Sequence, residues 1–169
     1  MRPISELPEI RKLALEHGWN WFRYHAEQRL TMIRFYLVII AASATAFFAA
    51  IGPYPEAAAG ASFFGFVCSL LFWRLDARVS YLIKVGEAAI SEQEQFIASE
   101  CDLKSIDIIN RADEKAGRFL TSYSQILRVL YAVTGLGFLG ATIFAVSLAL
   151  VVASENENIS LLNLMSMPV

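Results

Sequence analysis

Charged side chains are scarce in this chain. Only 18% of its 169 residues are Asp, Glu, Lys or Arg, whereas 56% are hydrophobic, and the mean hydropathy is +0.48. Soluble domains carry about 25% charged and about 45–50% apolar residues. The formal net charge is −2, so no global basic field is present to attract nucleic acid. These deficits exclude a disordered chain, a soluble secreted domain and a nucleic-acid binder that relies on net charge.

Cysteine and catalytic motifs are scarce as well. Of two cysteines, Cys68 lies in an apolar run and Cys101 in a polar stretch, a distribution that predicts neither a disulfide nor a metal site. The sequence has no phosphate loop and no nucleophile elbow. The first 30 residues are charged and aromatic, so we expect no cleavable signal peptide. We therefore expect a protein that is not an enzyme and needs no cofactor.

Three long apolar runs are what the chain does have. They cover residues 31–51, 57–73 and 129–153. Only the first run is interrupted by a charged residue, Arg34. A helix of about 20 apolar residues is long enough to cross a hydrocarbon core of about 30 Å. Gly52 and two nearby prolines predict a tight turn between the first two runs. The sequence therefore predicts an all-α integral membrane protein with three transmembrane helices, the first two forming a hairpin.

Basic residues are confined to two segments, and this predicts the orientation. All 14 Lys and Arg residues lie within 2–34 and 74–128, and basic loops stay on the cytoplasmic side of a membrane. We expect an inner-membrane protein with a cytoplasmic N-terminus and an extracytoplasmic C-terminus. The predicted segments are cytoplasmic N-terminal helices (1–30), a transmembrane hairpin (31–73), a cytoplasmic helical hairpin (74–128), a third transmembrane helix (129–153) and an extracytoplasmic tail (154–169).

The cytoplasmic segments have helical periodicity. We expect a short helix from Pro8 to His17, an interruption at Gly18 and a second helix that Asn20 caps. Residues 74–99 continue the second span, with an apolar stripe on one face and charged residues, Asp76 among them, on the other. The pattern breaks near Cys101, and a second arm with its own apolar stripe leads into the third span.

Small residues recur at every fourth position in each span. In lipid, helices associate through close packing of their backbones rather than through the hydrophobic effect. We predict that these residues pack the spans of one chain together or join chains into a homo-oligomer. The assembly residues are Ala42, Ala46 and Ala50 in the first span, Ala61, Gly65 and Ser69 in the second, and Gly137, Ala141 and Ala145 in the third.

Polar residues cluster where the spans meet the cytoplasmic segments. We expect this boundary to couple the two parts of the chain, with Asp76 pairing with Arg34 or Arg74. The spans contain no Asp, Glu, Lys or His in their interiors, which argues against a proton relay or a voltage sensor. The boundary residues are Arg23, His25, Arg29, Arg34, Arg74 and Asp76.

Two stretches carry a family resemblance. The first is Trp21-Phe22-Arg23-Tyr24-His25-Ala26-Glu27-Gln28-Arg29, and the second is Phe72-Trp73-Arg74-Leu75-Asp76-Ala77-Arg78, followed by Leu82-Ile83-Lys84-Val85-Gly86-Glu87. Over about residues 19–90 the chain resembles small bacterial membrane proteins of the SLATT-like class and the accessory membrane proteins of type VI CRISPR systems. The resemblance implies an antiphage effector that oligomerises and compromises the inner membrane, whereas the third span departs from a two-span plan.

Three functions remain open at this stage. The first is a homo-oligomeric, defence-associated effector that forms or gates a pore in the lipid bilayer. The second is a non-enzymatic scaffold or accessory subunit that recruits a cytosolic protein partner. The third is a membrane-tethered ribonuclease, because Arg11 and His17 resemble the Arg–His signature of HEPN ribonucleases. We expect no direct sequence-specific binding of nucleic acid.

Overall fold

Long helices account for almost all of the computed structural model, which describes residues 7–101, 109 and 123–165. The helices are α1 (Leu7–Ala50), α2 (Pro55–Cys101) and α3 (Tyr123–Met165). Within these ranges every residue outside the turn at 51–54 is helical. The predicted all-α fold is therefore confirmed.

Each of the three helices contains a stretch that is long and apolar enough to cross a membrane. Many large apolar side chains in these stretches face outward; Phe48 is 74% exposed, Leu136 68% and Leu150 67%. Burying such a side chain in an apolar environment is worth about 1.5–3 kcal/mol. Their exposure therefore suits a lipid surrounding far better than water.

A four-residue turn at 51–54 joins α1 to α2, as the two prolines predict. The backbone N–H of Tyr54 donates to the carbonyl of Ala50 at 2.8 Å, and the Tyr54 carbonyl accepts from the N–H of Ala58 at 3.1 Å. Pro55 is the first residue of α2, a position where the missing N–H of proline costs nothing. The turn thus satisfies backbone groups at both helix ends.

The predicted interruption at Gly18 is wrong, since α1 runs through it without a break. Gly18 is buried, and a Cβ atom there would lie 3.2 Å from Cγ1 of Ile90. A glycine inside a helix costs only about 0.5–1 kcal/mol, so the close approach of α2 outweighs it. Because α1 is continuous here, Asn20 lies within the helix and does not cap a helix start.

The helices contribute to two compact units, and the first comprises Met1–Arg34 and Trp73–Arg128. Its described core contains Val79, Ile90 and Leu127, all at most 6% exposed. A Cβ at Gly86 would lie 3.3 Å from the Cα of Phe22, so the backbones of α1 and α2 pass close to each other. The predicted continuation of the second span to about residue 99 is confirmed.

The second unit comprises Phe35–Phe72 and Val129–Val169. Its most buried side chains are Tyr36, Ala58, Ser62, Ser69, Tyr131 and Ala145, none of which exceeds 1% exposure. Gly65 is buried against the ring of Phe138, and a Cβ there would lie 2.8 Å from two ring carbons. Here too a glycine admits a neighbour that no larger residue would allow.

Most of the second arm of the predicted helical hairpin, 102–108 and 110–122, lies outside the described residues. At the other end of the chain, α3 continues beyond Ala153 to Met165. The segment expected as a tail therefore begins as a helix, and residues 151–160 are all exposed.

The ring of Phe138 makes Gly65 sensitive to a single added methyl group. Overpacking a core costs about 1–3 kcal/mol, more than the helix propensity of about 1 kcal/mol that Ala gains over Gly. We expect Gly65→Ala to lower the free energy of unfolding in detergent. Gly60→Ala is the matched control, because open space surrounds Gly60 on the same helix. Equal effects of the two variants would contradict this packing.

Candidate functional site

A charged pair links α1 to α2 inside the first unit. Nε of Arg29 donates to Oδ1 of Asp76 at 2.7 Å, and Nη2 donates to Oδ2 at 3.0 Å. Arg29 is 8% exposed and Asp76 2%. This two-bond, planar geometry is the strongest form of an arginine–carboxylate contact.

Helix α3 completes the site with polar and aromatic groups. Nη2 of Arg29 also donates to Oγ of Ser124 at 3.2 Å, and Ser124 lies 3.2 Å from Oγ of Ser80. The guanidinium carbon lies 5.2 Å from the centroid of the Tyr123 ring, within the range of a cation–π contact. Arg29 therefore contacts both other helices, and the site draws on all three.

The contribution of the Arg29–Asp76 pair to stability depends on the presence of both charges. Removing two charges from water costs several kcal/mol for each ion, and good geometry is needed to offset that cost. If one partner is removed, the other remains as a buried charge without compensation. We therefore expect the site to tolerate changes that remove both charges better than changes that remove one.

Aromatic residues flank the pair on α1. His25, one helical turn before Arg29, is 8% exposed, with Nδ1 3.1 Å from Oε1 of Gln28. Its ring meets those of Trp21 and Tyr24 edge-on, at centroid distances of 4.7 and 5.1 Å. Trp21 Nε1 donates to the carbonyl of Leu82 on α2 at 3.1 Å. These contacts fix the face that α1 presents to α2.

Hydroxyl groups connect the helices within the second unit. The Tyr36 hydroxyl contacts Thr134 and lies 3.2 Å from Oγ of Ser69. Oγ1 of Thr142 lies 3.0 Å from Oγ of Ser62. These serines and threonines also lie 2.8–2.9 Å from a carbonyl oxygen four residues earlier in their own helix. These hydroxyl groups therefore have hydrogen-bond partners within the protein, which is what a segment in lipid would need.

The predicted boundary residues divide into two groups. Arg29 and Asp76 meet in the buried pair, and His25 is buried beside them on α1, whereas Arg23, Arg34 and Arg74 are exposed. The expected pairing of Asp76 with Arg34 or Arg74 is wrong. Arg34 follows Arg29 by five positions, which places it about 140° around the helix. Only one of the two can face α2.

Asp76 itself was expected on the charged, solvent-facing side of α2. It is buried instead, while Leu75 beside it is 49% exposed. Leu75, expected in the apolar stripe, thus faces outward, and the packed face includes the carboxylate of Asp76. Apolar periodicity alone predicted the wrong packed face of α2, because polar contacts to α1 and α3 hold that face.

The predicted assembly residues also occupy different environments. Gly65, Ser69 and Ala145 are buried within the chain, and Ala50, Ala61 and Ala141 are half-buried. Ala42, Ala46 and Gly137 are exposed, and a Cβ at Gly137 would meet open space. Whether the exposed residues join chains stays a prediction.

Several site residues were missed by the sequence reasoning. Ser80 and Ser124 complete the charged site, and Tyr36, Ser62 and Thr142 belong to the hydroxyl contacts. A signal did exist, because Ser62, Ser69 and Asp76 follow one another at intervals of seven. A polar residue every seventh position in an apolar helix marks a face that packs against another helix.

The HEPN-like residues lie on α1. The guanidinium carbon of Arg11 lies 3.3 Å from the centroid of the Phe96 ring, and His17 is exposed. Six positions separate them, about 120° around the helix. Among residues 7–101, 109 and 123–165, no group of three or more His, Cys, Asp or Glu side chains is placed to hold a metal ion.

We expect single and double variants of the charged pair to differ in how much stability they lose. Arg29→Met or Asp76→Leu alone should lower the free energy of unfolding by about 3–5 kcal/mol, because each leaves a buried charge unpaired. The double variant should lose less than either single variant. Unfolding in detergent measures this cycle, with exposed Arg23→Gln as a control expected to change little. Additive losses in the double variant would show that the two residues do not interact.

Comparisons with known proteins give one informative likeness. The chain is 36% identical over 90 residues to CD-NTase-associated protein 19 of Escherichia coli. The aligned part covers 52% of this chain and 60% of that relative, so the chain spans less than two thirds of the relative's length. No protein-family model matches the sequence, and no solved structure matches it.

Proposed function

We propose that this chain is a membrane effector of bacterial antiviral defence, which assembles into a homo-oligomer and forms or gates a pore in the inner membrane. The three apolar helices carry this proposal, because the large apolar side chains exposed on them suit a lipid surrounding better than water. The likeness to a CD-NTase-associated protein supports an association with the CBASS antiviral system. It does not extend to the SLATT-like or type VI families.

The proposed orientation follows from charge. Residues 35–73 and 129–169 contain no Lys or Arg, so the basic first unit stays in the cytoplasm under the positive-inside rule. The turn at 51–54 and the end of α3 then lie outside. Glu56, Glu155 and Glu157 are the only charged side chains on that side, which is consistent with an end that is translocated.

The proposed assembly surface consists of Ala42, Ala46 and Gly137. These residues lie in the apolar stretches of α1 and α3 and are exposed in the single chain. Small side chains allow the backbones of neighbouring helices to approach closely in lipid. Gly65 has the same spacing but already contacts Phe138 within the chain. Variants of exposed Gly137 therefore test assembly, whereas variants of buried Gly65 test folding.

The charged pair is the proposed coupling element. Arg29, Asp76 and Ser124 belong to three helices that each continue into an apolar stretch. A partner or signal that acts on the cytoplasmic helices changes the pore by shifting these helices. The second candidate function is an accessory subunit that recruits a cytosolic protein. It uses the same cytoplasmic helices and forms no pore.

The subunit number of the purified protein tests the proposal. We expect native mass spectrometry in detergent to find a discrete oligomer of about six subunits or more, because head-to-tail interfaces that close into a ring can surround a pore. A monomer or dimer would contradict the pore and favour the accessory subunit.

Variants at the two glycines sharpen this test. Gly137→Leu should leave the unfolding midpoint of the chain nearly unchanged, because open space surrounds the site, and should still reduce the subunit number and any growth arrest on expression. Gly60→Leu, also in open space, is the matched control and should assemble normally. A Gly137→Leu protein with the full subunit number would remove this glycine from the assembly surface.

A further inference from the structure

On the side of the charged pair that leads to its apolar run, each helix carries an exposed arginine: Arg34 on α1, Arg74 on α2 and Arg128 on α3. We call these three residues the arginine set. None of them makes an ion pair with any residue in the described part of the chain, where Arg29–Asp76 is the one salt bridge. Within the described residues, these three guanidinium groups thus have no carboxylate as a counter-charge.

The three arginines lie at nearly the same depth. The contacts of Arg29 with Asp76 and Ser124 define a common level on the three helices. Measured along each helix from that level toward its apolar run, Arg34 lies about 7.5 Å away, Arg74 about 3 Å and Arg128 about 6 Å. All three therefore fall within about 5 Å of one another along the helix direction.

Carboxylates are absent from this part of the sequence, apart from Asp76. No other Asp or Glu occurs in residues 28–55, 57–86 or 115–154. Asp76 is buried and already paired with Arg29, so it does not neutralise the arginine set. The charge of the set is directed outward, toward whatever surrounds the helices at this depth.

We propose that the arginine set binds the phosphate groups of anionic phospholipids in the cytoplasmic leaflet. The headgroup layer is about 5–8 Å thick on each side of the hydrocarbon core, which matches the depth range of the three arginines. The planar guanidinium forms two parallel hydrogen bonds to phosphate. Trp73, 38% exposed and adjacent to Arg74, is a side chain typical of the same layer.

This inference rests on the membrane insertion in the proposed function, and it names the lipid class that the inserted protein holds. Phosphatidylglycerol, which carries a negative charge, should be retained in preference to phosphatidylcholine, which carries none. Each basic residue near an anionic surface favours binding by about five-fold, so the loss of three arginines should be readily measured.

Native mass spectrometry of the full chain, purified in detergent with equal amounts of the two lipids, tests the proposal. We expect phosphatidylglycerol to be retained, and Arg34→Gln/Arg74→Gln/Arg128→Gln to reduce that retention by about ten-fold or more. The control Lys12→Gln/Arg23→Gln/Lys84→Gln removes the same charge from exposed positions farther from the apolar runs. It should retain the lipid as the unmodified chain does.

Three outcomes would overturn the proposal. They are equal retention of the two lipids, full retention by the arginine variant, and displacement of phosphatidylglycerol by millimolar inorganic phosphate, which would indicate a site for soluble anions. Release of the chain from cell membranes by alkaline carbonate would instead contradict membrane insertion. That result would reject the proposed function itself, so the two failures are distinguishable.

Discussion

A buried charge is tolerated only when its partner is in place, and the first unit depends on this constraint. Arg29, Asp76 and Ser124 each belong to a different helix, and each satisfies a polar group of another. Apolar contacts tolerate small shifts of one helix along another, whereas an ion pair with two hydrogen bonds has one favourable geometry. The pair therefore fixes the relative register of helices whose other contacts are largely non-directional.

Much of the fold could be predicted from the sequence. Apolar runs of sufficient length predict which helices could span a membrane, and two prolines predict where the chain reverses, because each rule depends on local chemistry. The continuity of α1 through Gly18 could not be predicted, since it depends on Ile90, 72 positions away in the sequence. Local helix propensity was outweighed there by a tertiary contact.

The candidate site was less predictable for the same reason. Arg29 and Asp76 were recognised as boundary residues, but their pairing depends on which faces of α1 and α2 meet. Gly65 and Gly137 share one spacing pattern, yet only Gly65 has an aromatic ring against it. A spacing rule finds positions where close approach is allowed, and the neighbouring helix decides where it occurs.

The unbroken length of α1 has a mechanical consequence. A continuous helix of 44 residues extends for about 66 Å and resists both bending and twisting, because every turn is hydrogen-bonded to the next. Within the first unit, torque applied near Trp21 therefore reaches Arg29 along the same helix. If Arg29 rotates away from Asp76, then Trp21 and His25 must rotate through a similar angle. This part of α1 transmits a displacement as the turning of a rod rather than as movement about a hinge.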